Sequence, residues 1–260
     1  MMHKFCLYLF LLVTFWIKPL LSKTVDETFE QGNQEYAKAN KLLNEKDAGK
    51  AGEGFERAAS LYLSCLEKAE SAALHFNLGN TYFKLGKAGH SIYHFKQALL
   101  LDPTSEETRA NLALARKSAK LPKEQGSLYA KTLARRSPHF WKWLLWAGIW
   151  IGVSLVFLPK YFGLGGPVPQ VTGAVSLLFS IVPLWAIQKA SVARNVGIIL
   201  GPDTPMLVSP TQESASSHIL QPGQEVFLRP SKQSDGYVFA NTGNGESGWI
   251  KLANIGRLHP

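Results

Sequence analysis

A chain of 260 residues, 46% of them hydrophobic, has room for one or two compact domains but not for a large multidomain enzyme. Two cysteines, Cys6 and Cys65, exclude a disulfide-stapled framework and a four-cysteine zinc site. The apolar residues are gathered into three long stretches with soluble-looking sequence between them, which argues against a fully soluble chain.

The formal net charge of +9 is localised. Residues 23–117 carry 13 basic and 13 acidic side chains, whereas 118–142 carry Lys120, Lys123, Lys131, Arg135, Arg136 and Lys142 against Glu124 alone. A basic stretch beside an apolar span is what an anionic membrane surface attracts. Neither soluble region has a basic face with interleaved aromatics to track phosphates, so nucleic-acid binding is not expected.

Residues 1–22 read as a secretory signal: Lys4, an apolar core from Phe5 to Ile17, then Ser22 at the cleavage point. Thirteen apolar residues span about 20 Å as a helix, short of a hydrocarbon core of about 30 Å. Lys18 and the lack of an Ala-x-Ala site leave an uncleaved N-terminal anchor open.

Residues 23–117 are helical in pattern and internally repetitive. With Ala72 as position one of a 34-residue unit, Leu78 and Gly79 fall at positions 7 and 8, Tyr82 at 11, Ser91 at 20, Phe95 at 24, Ala98 at 27 and Pro103 at 32. Small residues there let two antiparallel helices cross closely, and Pro103, without an amide hydrogen, stops the second helix. A second unit starts at Gly32, with Ala39, Leu42, Ala51, Phe55 and Ala58 in register and about six extra residues around 59–71. Asn77-Leu78-Gly79 recurs 34 residues later as Asn111-Leu112-Ala113, giving a third first helix over about 106–117. The pattern resembles the tetratricopeptide (TPR) repeat, an all-α helical-repeat fold.

Residues 118–138 form a basic linker. Two transmembrane helices are expected at 139–158 and 168–187, joined by a Gly/Pro turn at 159–167. Trp141, Trp143, Trp146 and Trp150 crowd the entering half of the first, as interfacial anchoring favours, and Pro183 lies near the end of the second.

From residue 192 to 260 short β segments alternate with turns. The candidates are 196–200, 206–209, 224–229, 236–240 and 248–252, with turn signals at Pro222-Gly223 and Asn244-Gly245, and five strands predict a small closed barrel. Pro205-Met206-Leu207-Val208-Ser209-Pro210, the Leu220-x-Pro222-Gly223-x-x-Val226 run and Gly248-Trp249-Ile250 make this all-β segment resemble a bacterial SH3 (SH3b) domain.

The order of parts is similar to that of the BatE-type proteins of bacterial aerotolerance operons. Two local stretches add to the likeness: Ser71-Ala72-Ala73-Leu74-His75-Phe76-Asn77-Leu78-Gly79-Asn80, and Ile198-Ile199-Leu200. The resemblance implies an inner-membrane protein with both soluble domains on the periplasmic, outer side. It also implies von Willebrand factor A (VWA) proteins and a MoxR-type AAA ATPase as partners. The charge pattern departs from the family: the turn between the spans holds only Lys160, while Arg135, Arg136, Lys189 and Arg194 flank the pair. By the positive-inside rule this would put both domains in the cytoplasm, whereas a signal peptide implies export.

No catalytic constellation is evident, and neither an enzyme nor a cofactor is expected. His75, His90 and His94 lack a third ligand for a metal and read as solvated or half-buried repeat histidines, and Cys65 as a small packing residue. Gly163-Leu164-Gly165-Gly166 lacks the Lys-Ser/Thr of a phosphate loop. Binding is the remaining class. The first helices of such repeats line a concave groove, which places Asn40, Asn77, Asn80, Lys84 and Asn111 at a partner-binding surface, where amides both donate and accept toward an extended peptide. Asn77 and Asn111 serve equally well as bridges between neighbouring repeats. Trp249, beside a strand glycine, is expected to pack inward. The expected function is a membrane-anchored scaffold for envelope protein partners; the alternative is a receptor whose SH3b domain senses cell-wall peptides.

Overall fold

A computed structural model describes residues 25–122, 138–163, 167–192 and 195–258. The signal segment 1–22 with Cys6, most of the basic linker, and Arg194 lie outside the described residues.

Five helices form the N-terminal part: α1 over residues 25–44, α2 Ala48–Leu66, α3 Ala72–Lys84, α4 Ala88–Leu101 and α5 Glu106–Ser118. Their starts are set by short polar residues. Asp47, Ser71 and Ser105 each accept a backbone N–H three residues on, at Lys50, Leu74 and Thr108, satisfying donors the first turn leaves orphaned. Gly86, at φ +71°, turns α3 into α4 through a conformation other side chains resist. The residues in excess of the repeat lengthen α2 to 19 residues, which carries Tyr62 onto α1: a Cβ on Gly32 would come within 2.7 Å of the Tyr62 ring. Cys65 is buried beside it, its Sγ 3.6 Å from the Val25 carbonyl oxygen. At the crossing of α3 and α4, a Cβ on Gly79 would meet the Phe95 ring at 2.6 Å, so only glycine allows this approach.

Three further helices follow: α6 Pro138–Tyr161, α7 Pro167–Phe179 and α8 Ile181–Val192. Two stretches, His139–Pro159 and Gln170–Ile187, are long and apolar enough to cross a membrane. Only 11% and 22% of them is buried within the protein, unlike the core helices of a soluble domain. The second stretch is broken at Ser180, where one continuous helix was expected. Pro183 has no N–H to offer the Phe179 carbonyl and its ring crowds that oxygen, so α7 ends at Phe179 and α8 restarts. α6 packs on α7 through small residues. A Cβ on Gly173 would lie 2.9 Å from the Gly152 carbonyl oxygen, and Ser176 Oγ donates to the Gly148 carbonyl at 3.0 Å.

The C-terminal part is an antiparallel sheet of seven described strands: β1 Val196–Ile199, β2 Thr204–Leu207, β3 Ser216–Leu220, β4 Glu225–Ser234, β5 Tyr237–Thr242, β6 Ser247–Lys251 and β7 Ile255–Arg257. Their order is β3-β2-β6-β5-β4-β1-β7. The sheet is not the closed five-stranded barrel that was expected: β3 and β7 are its two edges, and no ladder joins them among the described residues. Ile199, Met206, Leu220, Val226, Val238, Ala240 and Ile250, all at 0% exposure, form its core.

The sheet is not separate from the helices. Ile92 and Phe95 of α4, Leu112 and Ala115 of α5, and Val196, Ile198 and Leu258 of the C-terminal part form one buried cluster. A Cβ on Gly89 would collide with the Leu200 carbonyl, and one on Gly223 with Ile92. Beside the cluster, Glu225 Oε1 receives Lys96 Nζ at 2.9 Å and Arg116 Nη1 at 3.0 Å. At 14–29% side-chain exposure these ions are largely withdrawn from water, where pairing counts for more than on an open surface.

Candidate partner-binding site

The groove asparagines are tied to one another across the helices. Asn77 Nδ2, on α3, donates to Asn33 Oδ1 on α1 at 3.0 Å, and Asn111 Nδ2, on α5, donates to Asn80 Oδ1 on α3 at 2.9 Å. Asn33 Oδ1 also accepts from the Tyr62 hydroxyl at 2.9 Å, so both of its lone pairs are used. Asn77 and Asn111 therefore act as bridges between repeats. Each bridge uses one of an amide's two N–H donors, leaving each side chain further hydrogen-bonding capacity. Asn40 shares a hydrogen bond with Tyr36, whose hydroxyl burial pushes above its usual pKa. Lys84 is exposed at the C-terminal turn of α3 and makes no part of the asparagine bridges.

Asn33, Tyr36, Tyr62, Asn77 and Asn80 line a cavity of about 100 Å³. Among the described residues its walls are amides and phenols, with no charged group, which suits a neutral polar side chain or a stretch of peptide backbone. The sequence reading named Asn77 and Asn80 but missed Asn33, Tyr36 and Tyr62. Tyr62 comes from a second helix, which the first-helix rule for groove positions does not sample.

Two of the three repeat histidines correct an expectation; His90 is half-buried as expected. His75 and His94 are 2% and 4% exposed, neither solvated nor half-buried. His75 Nε2 lies 3.1 Å from Glu70 Oε1, and the two Nδ1 atoms of His75 and His94 are 2.9 Å apart. A carboxylate only accepts, so neutral His75 carries its proton on Nε2 and its Nδ1 accepts from His94 Nδ1–H. Gln97 donates to the same Glu70 oxygen at 3.2 Å, and the His94 ring stacks on Tyr82 with planes 10° apart. Burial, followed by the neighbouring His75 and His90, pushes the His94 pKa down to about 3. Burial also lowers that of His75, against the pull of Glu70. The sequence signal was present in the small residues Gly79 and Ser91, which bring α3 and α4 close enough for histidines on both to meet. Among the described residues no group of three or more His, Cys, Asp and Glu side chains is placed to hold a metal.

Trp249 is a second correction. Gly248 and Ile250 point into the sheet's core, so by strand alternation Trp249 points out. It is half-buried on the outer face, its ring edge-on to Phe239 at 5.5 Å.

Paired antiparallel helices joined edge to edge by side-chain bridges define a helical-repeat protein. The particular repeat is the tetratricopeptide repeat, whose family matches residues 72–105, that is α3, α4 and the turn that follows them. This is a repeat that presents surfaces for protein–protein interaction. No curated protein matches the chain at a significant level.

Proposed function

We propose that the chain is a membrane-anchored scaffold whose TPR groove holds an envelope protein partner in an extended conformation. The observation that carries the reading is the asparagine and tyrosine surface around the 100 Å³ cavity, on a matched tetratricopeptide repeat. Two apolar, little-buried helices support the anchor. The shared core of α4, α5, β1 and Leu258 supports a hairpin topology, because parts packed together must lie on one side of any membrane that the intervening helices cross.

In this reading the C-terminal sheet is a relative of the SH3b domain, and the protein acts at the bacterial inner membrane with VWA proteins and a MoxR-type ATPase, as the likeness to BatE-type proteins implies. Both soluble parts face the periplasm, because export of the long preceding domain is committed before the hairpin emerges. Its role is to hold partners together, with no reaction carried out by its own side chains.

A photo-crosslinking side chain placed at Lys84, on the groove, tests this in the full-length chain. A defined protein adduct is expected there, and none from the same group at Glu53 on the exposed side of α2. Adducts from neither position, or equally from both, would remove the groove from the account.

A further inference from the structure

Resting on the reading that α6–α8 cross a bilayer, we propose that the β4–β5 end of the sheet's outer face docks on that bilayer and binds its anionic phospholipid headgroups. The face is built from a cross-strand ladder. Arg229 of β4 lies opposite Phe239 of β5, and Phe239 opposite Trp249 of β6. The intervening Leu228, Val238 and Ile250 are core, which turns the ladder outward. Lys232 Nζ lies 5.0 Å from the Phe239 ring centre and Arg229 Cζ 5.9 Å from it. Lys251, exposed, is the partner of Tyr237 one step nearer the hairpin tip.

Aromatic rings, two of which (Tyr237 and Trp249) carry a polar edge, flanked by long cationic side chains, match the headgroup layer of a membrane. The rings settle at the boundary while the cations reach phosphates. Among the described residues, Arg229, Lys232 and Lys251 share this end with Arg257, whose guanidinium donates to Gln233 at 3.4 Å, and with a single acid, Asp235 at the turn. The face's other carboxylate, Glu225, is already paired with Lys96 and Arg116 at the far end.

The register points this end back toward the membrane of that reading. β1 is the first strand after α8, and Val196 is paired with Phe227. β4 runs antiparallel to β1, so Arg229 and the hairpin after it project beyond the start of β1, back toward where the chain arrives. From Asn241, opposite Phe227, to Gly236 at the tip is five residues, about 17 Å of strand. The reach available from the membrane is similar. The apolar span ends at Ile187, with about 8 Å of helix from there to Val192. The next four residues to Val196 cover at most about 14 Å. A hairpin of this length is therefore long enough to reach back to the height of the headgroups.

Full-length chain in lipid nanodiscs tests the docking. With Cys6 and Cys65 replaced by Ser and Ala, a fluorescent dye is placed at Ser231→Cys on the cationic hairpin, or at Asn244→Cys on the turn at the opposite end of β5. A lipid with a nitroxide on its headgroup serves as quencher. With about one third phosphatidylglycerol, the dye at 231 is expected to be quenched at least about threefold more than the dye at 244. The difference is expected to vanish in phosphatidylcholine alone and in R229Q/K232Q/K251Q. Equal quenching at the two positions, or a difference indifferent to lipid charge or to the triple variant, overturns the proposal. So does retention of the chain by purified cell-wall sacculi that depends on Trp249, which would assign the face to wall peptides. Alkaline carbonate extraction separates the two readings. A chain that stays in the pellet with unquenched dye fails the docking alone, and a chain released to the supernatant fails the anchor beneath it.

Discussion

The α3–α4 pair and the α6–α7 pair meet the same demand, two antiparallel helices at close approach, and both do it with glycine. In the first, Gly79 admits the Phe95 ring, and the large residues Leu78, Ile92 and Phe95 turn inward to at most 1% exposure. In the second, Gly148, Gly152 and Gly173 face the seam while Trp143, Trp146 and Trp150 turn outward at 77%, 59% and 65% exposure. Water drives large apolar groups into the seam; hydrocarbon gives them no reason to enter it, and close backbone packing is what remains to hold the helices. The inversion is what the proposed membrane anchor accounts for, with the two pairs in different solvents.

The sharpest way to break that comparison is to add the same side chain to both seams. Gly79→Val places its Cβ 2.6 Å from the Phe95 ring and is expected to cost about 3 kcal/mol, lowering the helical melting transition by about 10 °C in circular dichroism. Gly152→Val crowds Leu177 and the Gly173 carbonyl and loosens the hairpin. It is expected to leave that transition within about 1 °C, because each helix keeps its own backbone bonds in hydrocarbon. Equal losses would mean that the two pairs belong to one soluble core.

A smaller effect is expected from acid, and only in the water-facing pair. An unfolded histidine titrates near 6.5, while His94 in the folded protein is held down to about 3. Between those values the unfolded chain binds a proton that the folded chain refuses, so stability is complete above pH 6.5 and falls as pH drops toward 3. From pH 6.5 to 4.5 His94 alone is expected to remove about 2 kcal/mol, with His75 acting in the same direction. Urea melts across this range should be markedly flatter in His94→Phe. A wild-type profile unchanged down to pH 4.5 would show that the dyad is open to water.

The smallest effect sharpens the polar side of the repeat. Tyr62→Phe removes the hydroxyl that donates to Asn33 and should cost about 1 kcal/mol in the same melts. A loss near zero would mean that water replaces the hydroxyl at the cavity.

Much of this fold was legible from spacing. Gly79, Tyr82, Phe95 and Pro103 fix a helix pair and its end because helix crossing and proline geometry act locally. Strand alternation is equally informative for Trp249, since an inward Ile250 forces its neighbour outward, and parity outweighs the packing habit of an indole beside glycine. β3, with only Leu220 buried, carries no alternating signal and was missed for that reason. The α7–α8 break follows from Pro183, yet an unbroken apolar run hides it. Least legible were features made by residues distant in sequence: the His75–His94 contact, Tyr62 at the cavity, and the core shared between α4 and β1. Ile92 and Ile198 look like the ordinary interior of two separate domains until the coordinates place them in one cluster.

The central claim is that the repeat helices and the sheet form one body on a single side of a bilayer that the helices between them cross. An impermeant maleimide applied to sealed vesicles, with single cysteines at Glu53 on α2 and Thr211 in the β2–β3 turn, tests it directly. The account predicts labelling of both from the same side and of neither from the other. Labelling of the two from opposite sides, or of either from both sides, would contradict it.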